Sequence, residues 1–167
     1  MSHVWLIGMM ASGKSTVGDL AAARLGRPFY DTDDLVESDA HMSIADIFEQ
    51  CGEAEFRARE RKAVAGIALE SAGIVATGGG VVLDPVNVAT MRASGVVVLL
   101  SVDPDVLASR VVDGGERPLL SGGADEGIRA IARERDRMYR AAADTTIDAS
   151  GTVLEVSEQV EAVCRGL

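Results

Sequence analysis

Short apolar runs alternate with longer stretches in which apolar positions recur every three or four residues, and this alternation organises the chain. Residues 4–7, 28–30, 73–77, 96–100 and 145–147 read as strands; the run at 96–100 is uninterrupted, as in strands buried on both faces of a parallel sheet. Between them, residues 14–25 place Val17, Leu20, Ala21 and Leu25 on one helical face and stop at Gly26. Ser43 caps a short helix, and Gly52 separates it from a long one over 53–71 whose stripe is Phe56, Val64, Ile67 and Ala68. Further helices are expected over 85–92, 103–112, 124–143 and 153–163, the last with Val153, Val156, Val160 and Val163 facing inward. Strands alternating with helices predict a three-layer α/β/α fold around a five-stranded parallel sheet.

With 167 residues the chain is expected to be a single domain with one core. Its formal charge of −10 argues against a sequence-independent grip on nucleic acid or an anionic membrane, so any bound anion must be held locally. Residues 1–4 carry no Lys or Arg, and the apolar run that follows is too short for a signal peptide or a membrane span. A cytoplasmic monomer is the expectation. Cys51 and Cys164 lack metal-ligand spacing and do not cluster with His3 or His41, so both are read as reduced and structural.

The first strand runs into Gly8-Met-Met-Ala11-Ser12-Gly13-Lys14-Ser15-Thr16, which is P-loop spacing in the strand–loop–helix context that a phosphate cradle requires. Successive N–H groups and the positive end of the helix converge there on a polyphosphate. Lys14 would reach the β/γ-phosphates, and the Ser15 hydroxyl a magnesium ion.

Other strand ends add candidates whose reading stays open at this point. Asp31-Thr32-Asp33-Asp34 is either a solvated acidic turn capping the next helix or a ligand cluster beyond a carboxyl strand end, where sites of open α/β sheets lie. Glu53, Glu55, Arg57 and Arg59 are spaced as i,i+4 pairs of a surface helix, yet one guanidinium could instead point into the cleft and fork a substrate carboxylate. Gly78-Gly79-Gly80 is either a loose loop or a place where backbone and ligand approach closely. Residues 113–123 have glycine pairs at both ends and Arg117 between them, the composition of a flexible loop or of a lid closing over phosphates. Arg110 and Arg135 could gather at the same rim.

Taken together, these segments resemble the shikimate kinases, small members of the nucleoside-monophosphate-kinase-like branch of P-loop folds. The resemblance rests on residues 8–18, Phe-Tyr-Asp-Thr-Asp at 29–33, Ser-Ile-Ala-Asp-Ile-Phe at 43–48, Gly-Glu-Ala-Glu-Phe-Arg-Ala-Arg-Glu at 52–60, Ala-Thr-Gly-Gly-Gly at 76–80, Arg-Pro-Leu-Leu at 117–120 and Arg-Asp-Arg-Met-Tyr at 135–139. It implies ATP-dependent phosphorylation of the shikimate 3-hydroxyl, with Mg2+ as cofactor, in the route to aromatic amino acids. It also implies a mobile lid over about 112–124 and a substrate-binding helical region over about 33–61.

By the same resemblance, Ala11, Ser12, Gly13, Lys14, Ser15 and Thr16 hold the nucleotide phosphates, with Lys14 on the transferring phosphoryl and Ser15 and Asp31 serving the metal. Asp33 holds shikimate hydroxyls and orients or deprotonates the nucleophile, Arg57 and Arg135 take the carboxylate, and Gly78, Gly79 and Gly80 line the same ligand. Glu60 supports Arg57, Arg117 is the catalytic lid arginine, and Arg110 stacks on adenine. Two departures stand out: residues 150–153 lack the proline or arginine often found in the family near its other adenine contact, and residues 121–127 are glycine-rich. A kinase acting on another acceptor, such as gluconate or a nucleoside monophosphate, is the nearest rival reading. A GTPase-type switch would need an Asn-Lys-x-Asp motif, which the chain lacks.

Overall fold

The computed structural model describes residues 2–107 and 124–167. Strands β1 (His3–Ile7), β2 (Phe29–Asp31), β3 (Ile74–Ala76), β4 (Gly95–Ser101) and β5 (Thr145–Asp148) form one parallel sheet in the order β2-β3-β1-β4-β5. The labelled helices are α1 (Lys14–Leu25), α2 (Thr32–Ala40), α3 (Ile44–Gln50), α4 (Glu53–Ile67), α5 (Pro85–Ser94), α6 (Ala124–Ala142) and α7 (Val153–Arg165). Residues 104–107 are also helical, and a 3-10 turn occupies Val81–Leu83.

Central β1 is buried along its length because β3 pairs with it on one side and β4 on the other. Successive side chains of a strand point to opposite faces, and this alternation builds the layers. Val4 and Leu6, with Ile74, Val98 and Leu100, meet Val17 and Ala21 of α1 and Val156 and Val160 of α7. Trp5 and Ile7, with Val75, Val97 and Leu99, meet Val64, Ile67, Met91 and Tyr139 from α4, α5 and α6. The Trp5 ring is fully buried, and its indole N–H donates to Ser94 Oγ at 3.2 Å. A third cluster of Val36, Ile47 and Phe56 joins α2, α3 and α4.

Local chemistry sets the helix ends. Gly26 closes α1 in the left-handed region, its N–H turned back onto the Ala22 and Ala23 carbonyls. Ser43 caps α3 as expected, Asp84 caps α5 with Pro85 in its first turn, and Thr152 with Glu155 forms a capping box on α7.

The structure also departs from the sequence reading in places. Asp31-Thr32-Asp33-Asp34 does cap the next helix, as one of its two readings had it, but only Asp31 is the cap, ending β2 and accepting from the Asp33 N–H, while Thr32, Asp33 and Asp34 are already the first turn of α2. The helix expected over 53–71 ends at Ile67, because the N–H groups of Leu69 and Glu70 bond back to Gly66 and Ile67 in tight turns that redirect the chain into β3. Val153 is exposed rather than inward, since it lies in the first turn of α7, beyond the sheet. Both cysteines are free, but only Cys164 is buried; Cys51 is exposed at the end of α3. The expected helix over 103–112 falls partly outside the described residues, as do Arg110, Arg117 and nearly all of the expected lid. Among the described residues no helix is long and apolar enough to cross a membrane.

Candidate active site

The phosphate loop joins β1 to α1, and its backbone is fixed by what surrounds it. Gly8 has φ 144°, and a β-carbon there would lie 2.6 Å from the Leu100 carbonyl oxygen of the neighbouring strand, so only glycine fits. Lys14 is almost fully buried. Its ammonium donates to the Gly8 and Met9 carbonyls at 2.9 and 2.8 Å, with Ser12 Oγ at 3.4 Å. The cation is thereby held inside the curve of the loop, next to the N-terminus of α1.

One step along α1, the Ser15 hydroxyl donates to Asp31 Oδ2 at 2.6 Å, while Asp31 Oδ1 caps α2. These are hard oxygen donors from a hydroxyl and a carboxylate. Such a pair suits Mg2+, which uses one or two protein oxygens and completes its shell with water and phosphate. Among the described residues no cluster of three or more His, Cys, Asp or Glu side chains could cage an ion unaided. Asp34 borders the same side of the site, and its carboxyl is raised above the usual range by burial and then by the charges of Asp31 and Glu37.

Across the cleft, α4 presents Arg57 within a network of ion pairs to its own helix. Its Nη1 donates to Glu60 Oε2 at 2.8 Å, and its Nε and Nη2 donate to Glu53 Oε1 at 3.3 and 3.2 Å, while the guanidinium lies 5.1 Å from the Phe56 ring centre. Arg59, by contrast, pairs outward with Glu55 and Asp39. Glu60 is fully buried; burial raises its carboxyl above the usual range, Arg57 opposes that shift, and Asp33 and Asp84 add to it. Burial favours loss of the Arg57 proton, but the bonds to Glu60 and Glu53 outweigh it and raise the guanidinium.

The triple glycine after β3 is where these groups meet. A β-carbon at Gly80 would overlap the Arg57 guanidinium, and one at Gly78 would lie 2.8 Å from both Asp33 Oδ1 and Glu60 Oε1. Absent side chains are therefore what let Arg57, Asp33 and Glu60 converge. The Gly78 N–H donates to Thr32 Oγ1 at 3.0 Å, so Gly78 is tied to the start of α2. From α6, Arg135 Nη1 donates to the Gly79 carbonyl at 3.3 Å, and the Tyr139 hydroxyl donates to the same oxygen.

Lys14, Ser15, Asp31, Asp33, Arg57, Gly78, Gly79, Gly80 and Arg135 thus lie along one rim of the sheet, beyond the ends of β1, β2 and β3. Ala11, Ser12, Gly13 and Thr16 line a separate cavity of about 350 Å³, together with Ala149, Gly151, Thr152 and Val153. Sequence reasoning gave no role to Thr32 or Tyr139. Thr32 lies between two acids, and Tyr139 bonds to a residue 60 positions earlier in the chain.

A parallel five-stranded sheet with a P-loop at its central strand, and a charged helical wall facing it, defines the class: a P-loop phosphotransferase of nucleoside-monophosphate-kinase-like fold. The family model described as shikimate kinase matches residues 10–165, and the chain belongs to that family. The shikimate kinase of Symbiobacterium thermophilum is 46% identical over 148 residues, covering 87% of this chain and 85% of that protein. That of Thermoanaerobacter pseudethanolicus is 41% identical over 162 residues, covering 96% and 94%. Among solved structures, the Acinetobacter baumannii shikimate kinase in complex with shikimate superposes with a TM-score of 0.93 at 30% identity, covering 99% of this chain and 94% of that one.

Proposed function

We propose that this protein is a shikimate kinase, transferring the γ-phosphoryl group of ATP to the 3-hydroxyl of shikimate to give shikimate 3-phosphate and ADP in aromatic amino acid biosynthesis. The observation that carries this reading is the convergence of Arg57, Arg135 and Asp33 on Gly78–Gly80, directly across the rim from Lys14. Two guanidiniums are suited to fork an anionic group such as the shikimate carboxylate, which a neutral acceptor lacks.

In this mechanism Lys14 exchanges a loop carbonyl for a phosphate oxygen and follows the charge of the transferring phosphoryl. Phosphoryl transfer demands positioning and charge neutralisation rather than covalent help from the protein. Asp33 accepts a hydrogen bond from the attacking hydroxyl and orients it, taking its proton as the bond to phosphorus forms. Arg57, held by Glu60 and Glu53, and Arg135 fix the carboxylate end and thereby the register of the ring. Ser15 and Asp31 would hold Mg2+, which would supply neutralisation of phosphate charge. The cavity between the P-loop and residues 149–153 is the proposed place for the nucleoside.

Residues 1–167 act as one kinase domain in this reading, with 33–61 gripping the acceptor and about 112–124 as the lid. By the family resemblance, Arg117 would meet the phosphates and Arg110 the adenine; both lie outside the described residues. A cytoplasmic monomer fits such an enzyme. The test is an ATP-dependent assay across shikimate, gluconate, AMP and CMP. Turnover with shikimate alone is expected; turnover with gluconate or a monophosphate but not shikimate overturns the reading.

A further inference from the structure

We propose that Tyr139 is a positioning residue that holds the Gly79 peptide so that Arg135 can leave it for the acceptor's carboxylate. The inference rests on the reading of Arg135 as a carboxylate partner and deepens it. Arg135 and Tyr139 are four residues apart on α6, hence on one face, and both donate to the Gly79 carbonyl oxygen. A carbonyl has two lone pairs, so the two bonds coexist. They are not equivalent. The Arg135 bond is 3.3 Å long, and that side chain is only half-buried, whereas the Tyr139 ring is 2% exposed and wedged in the core cluster beneath the sheet rim.

The Gly79 peptide also abuts the phosphate loop. A β-carbon at 79 would lie 3.3 Å from the Met10 nitrogen and 3.7 Å from the Gly8 oxygen, and the Tyr139 hydroxyl lies 3.6 Å from Met9 Sδ. One phenol therefore touches the loop on the nucleotide side and the glycine turn on the acceptor side. Burial raises the phenol's pKa; the guanidinium of Arg135, then that of Arg57, opposes the shift, and Glu60 adds to it. The hydroxyl remains a donor at neutral pH.

A carboxylate offers Arg135 a charge-assisted, two-pronged partner better than a carbonyl. Moving there strips Gly79 of one donor, and a part-buried carbonyl left with none is costly. Tyr139 removes that cost by keeping its bond throughout, so Arg135 is released at little penalty. Without the hydroxyl, Gly79 and the acceptor would compete for Arg135.

Titration calorimetry with shikimate and with ATP on Tyr139→Phe, Arg135→Ala and the double variant tests this, with melting temperatures recorded for each. Tyr139→Phe is expected to weaken shikimate binding about three- to tenfold, to leave ATP binding unchanged, and to have no further effect in the Arg135→Ala background. Weaker shikimate binding in Arg135→Ala but unchanged binding in Tyr139→Phe overturns the proposal and leaves the carboxylate clamp standing. Losses that add in the double variant, or that fall equally on ATP, reduce Tyr139 to a packing residue and also overturn it. Unchanged shikimate binding in Arg135→Ala removes the clamp itself, and the proposal with it.

Discussion

The two walls of the cleft are made from different materials. The nucleotide wall is mostly main chain: Gly8 sits where no side chain fits, and Lys14 is folded onto the loop's own carbonyls. The acceptor wall is mostly charged side chains, with Arg57 spanning Glu53 and Glu60, and Arg135 reaching from another helix. A main-chain wall recognises what every nucleotide shares, its phosphates, whatever the surrounding side chains. A side-chain wall recognises one arrangement of charge and hydroxyls, and it depends on each partner staying paired.

The sharpest way to separate the walls is to remove the cation of the first. Lys14→Ala is expected to lower kcat on the order of 10²–10³-fold, with shikimate binding by calorimetry unchanged. Next comes Arg57→Ala, which is expected to weaken shikimate binding roughly 30-fold or more while ATP binding is retained. It should also lower the melting temperature, because fully buried Glu60 loses its counter-charge. Equal losses for both ligands in either variant would mean that the walls are one energetic unit.

Gly80→Ala probes the acceptor wall from its backbone side. A methyl group there displaces the Arg57 guanidinium, so the KM for shikimate is expected to rise about tenfold with the KM for ATP unchanged. The smallest effect lies outside both walls and calibrates the others. His3 Nδ1 accepts from the Gly73 N–H at 3.2 Å, and burial lowers its pKa. The unfolded chain then binds the proton more readily than the folded one. The stabilisation is therefore full above the ordinary histidine pKa of about 6.5 and shrinks as pH falls below it. His3→Gln, which can still accept but does not titrate, should flatten the melting temperature between about pH 7 and 5 without altering either KM.

The nucleotide wall was far more legible in the sequence than its opposite. A P-loop is contiguous, so residues 8–16 announce strand, loop and helix together, and each glycine has a local reason to be there. The parallel sheet followed from the same logic, since each apolar run is a whole strand. The acceptor wall is assembled from segments far apart in the chain, and spacing alone left Arg57 divided between a surface pair and a clamp. The structure shows the pairs, with Glu53 and Glu60 on either side of the same guanidinium, and the clamp is the role we propose for it. Helix α2 was legible only through its cap and the family resemblance: its composition is polar, and Val36 packing on α3 and α4 leaves no strong periodic signature. The Thr32 and Tyr139 bonds to the glycine turn were illegible for a plainer reason, since no pattern in sequence marks a hydroxyl that meets a backbone group dozens of residues away.

The indole of Trp5, sealed between the sheet and α5, also decides what light can report about this enzyme. It is the sole tryptophan, so tryptophan emission comes from the middle of the core and not from the cleft. Fluorescence will therefore follow unfolding cleanly and remain nearly silent as nucleotide or acid enters, and a binding assay by that route needs a second fluorophore placed on the rim.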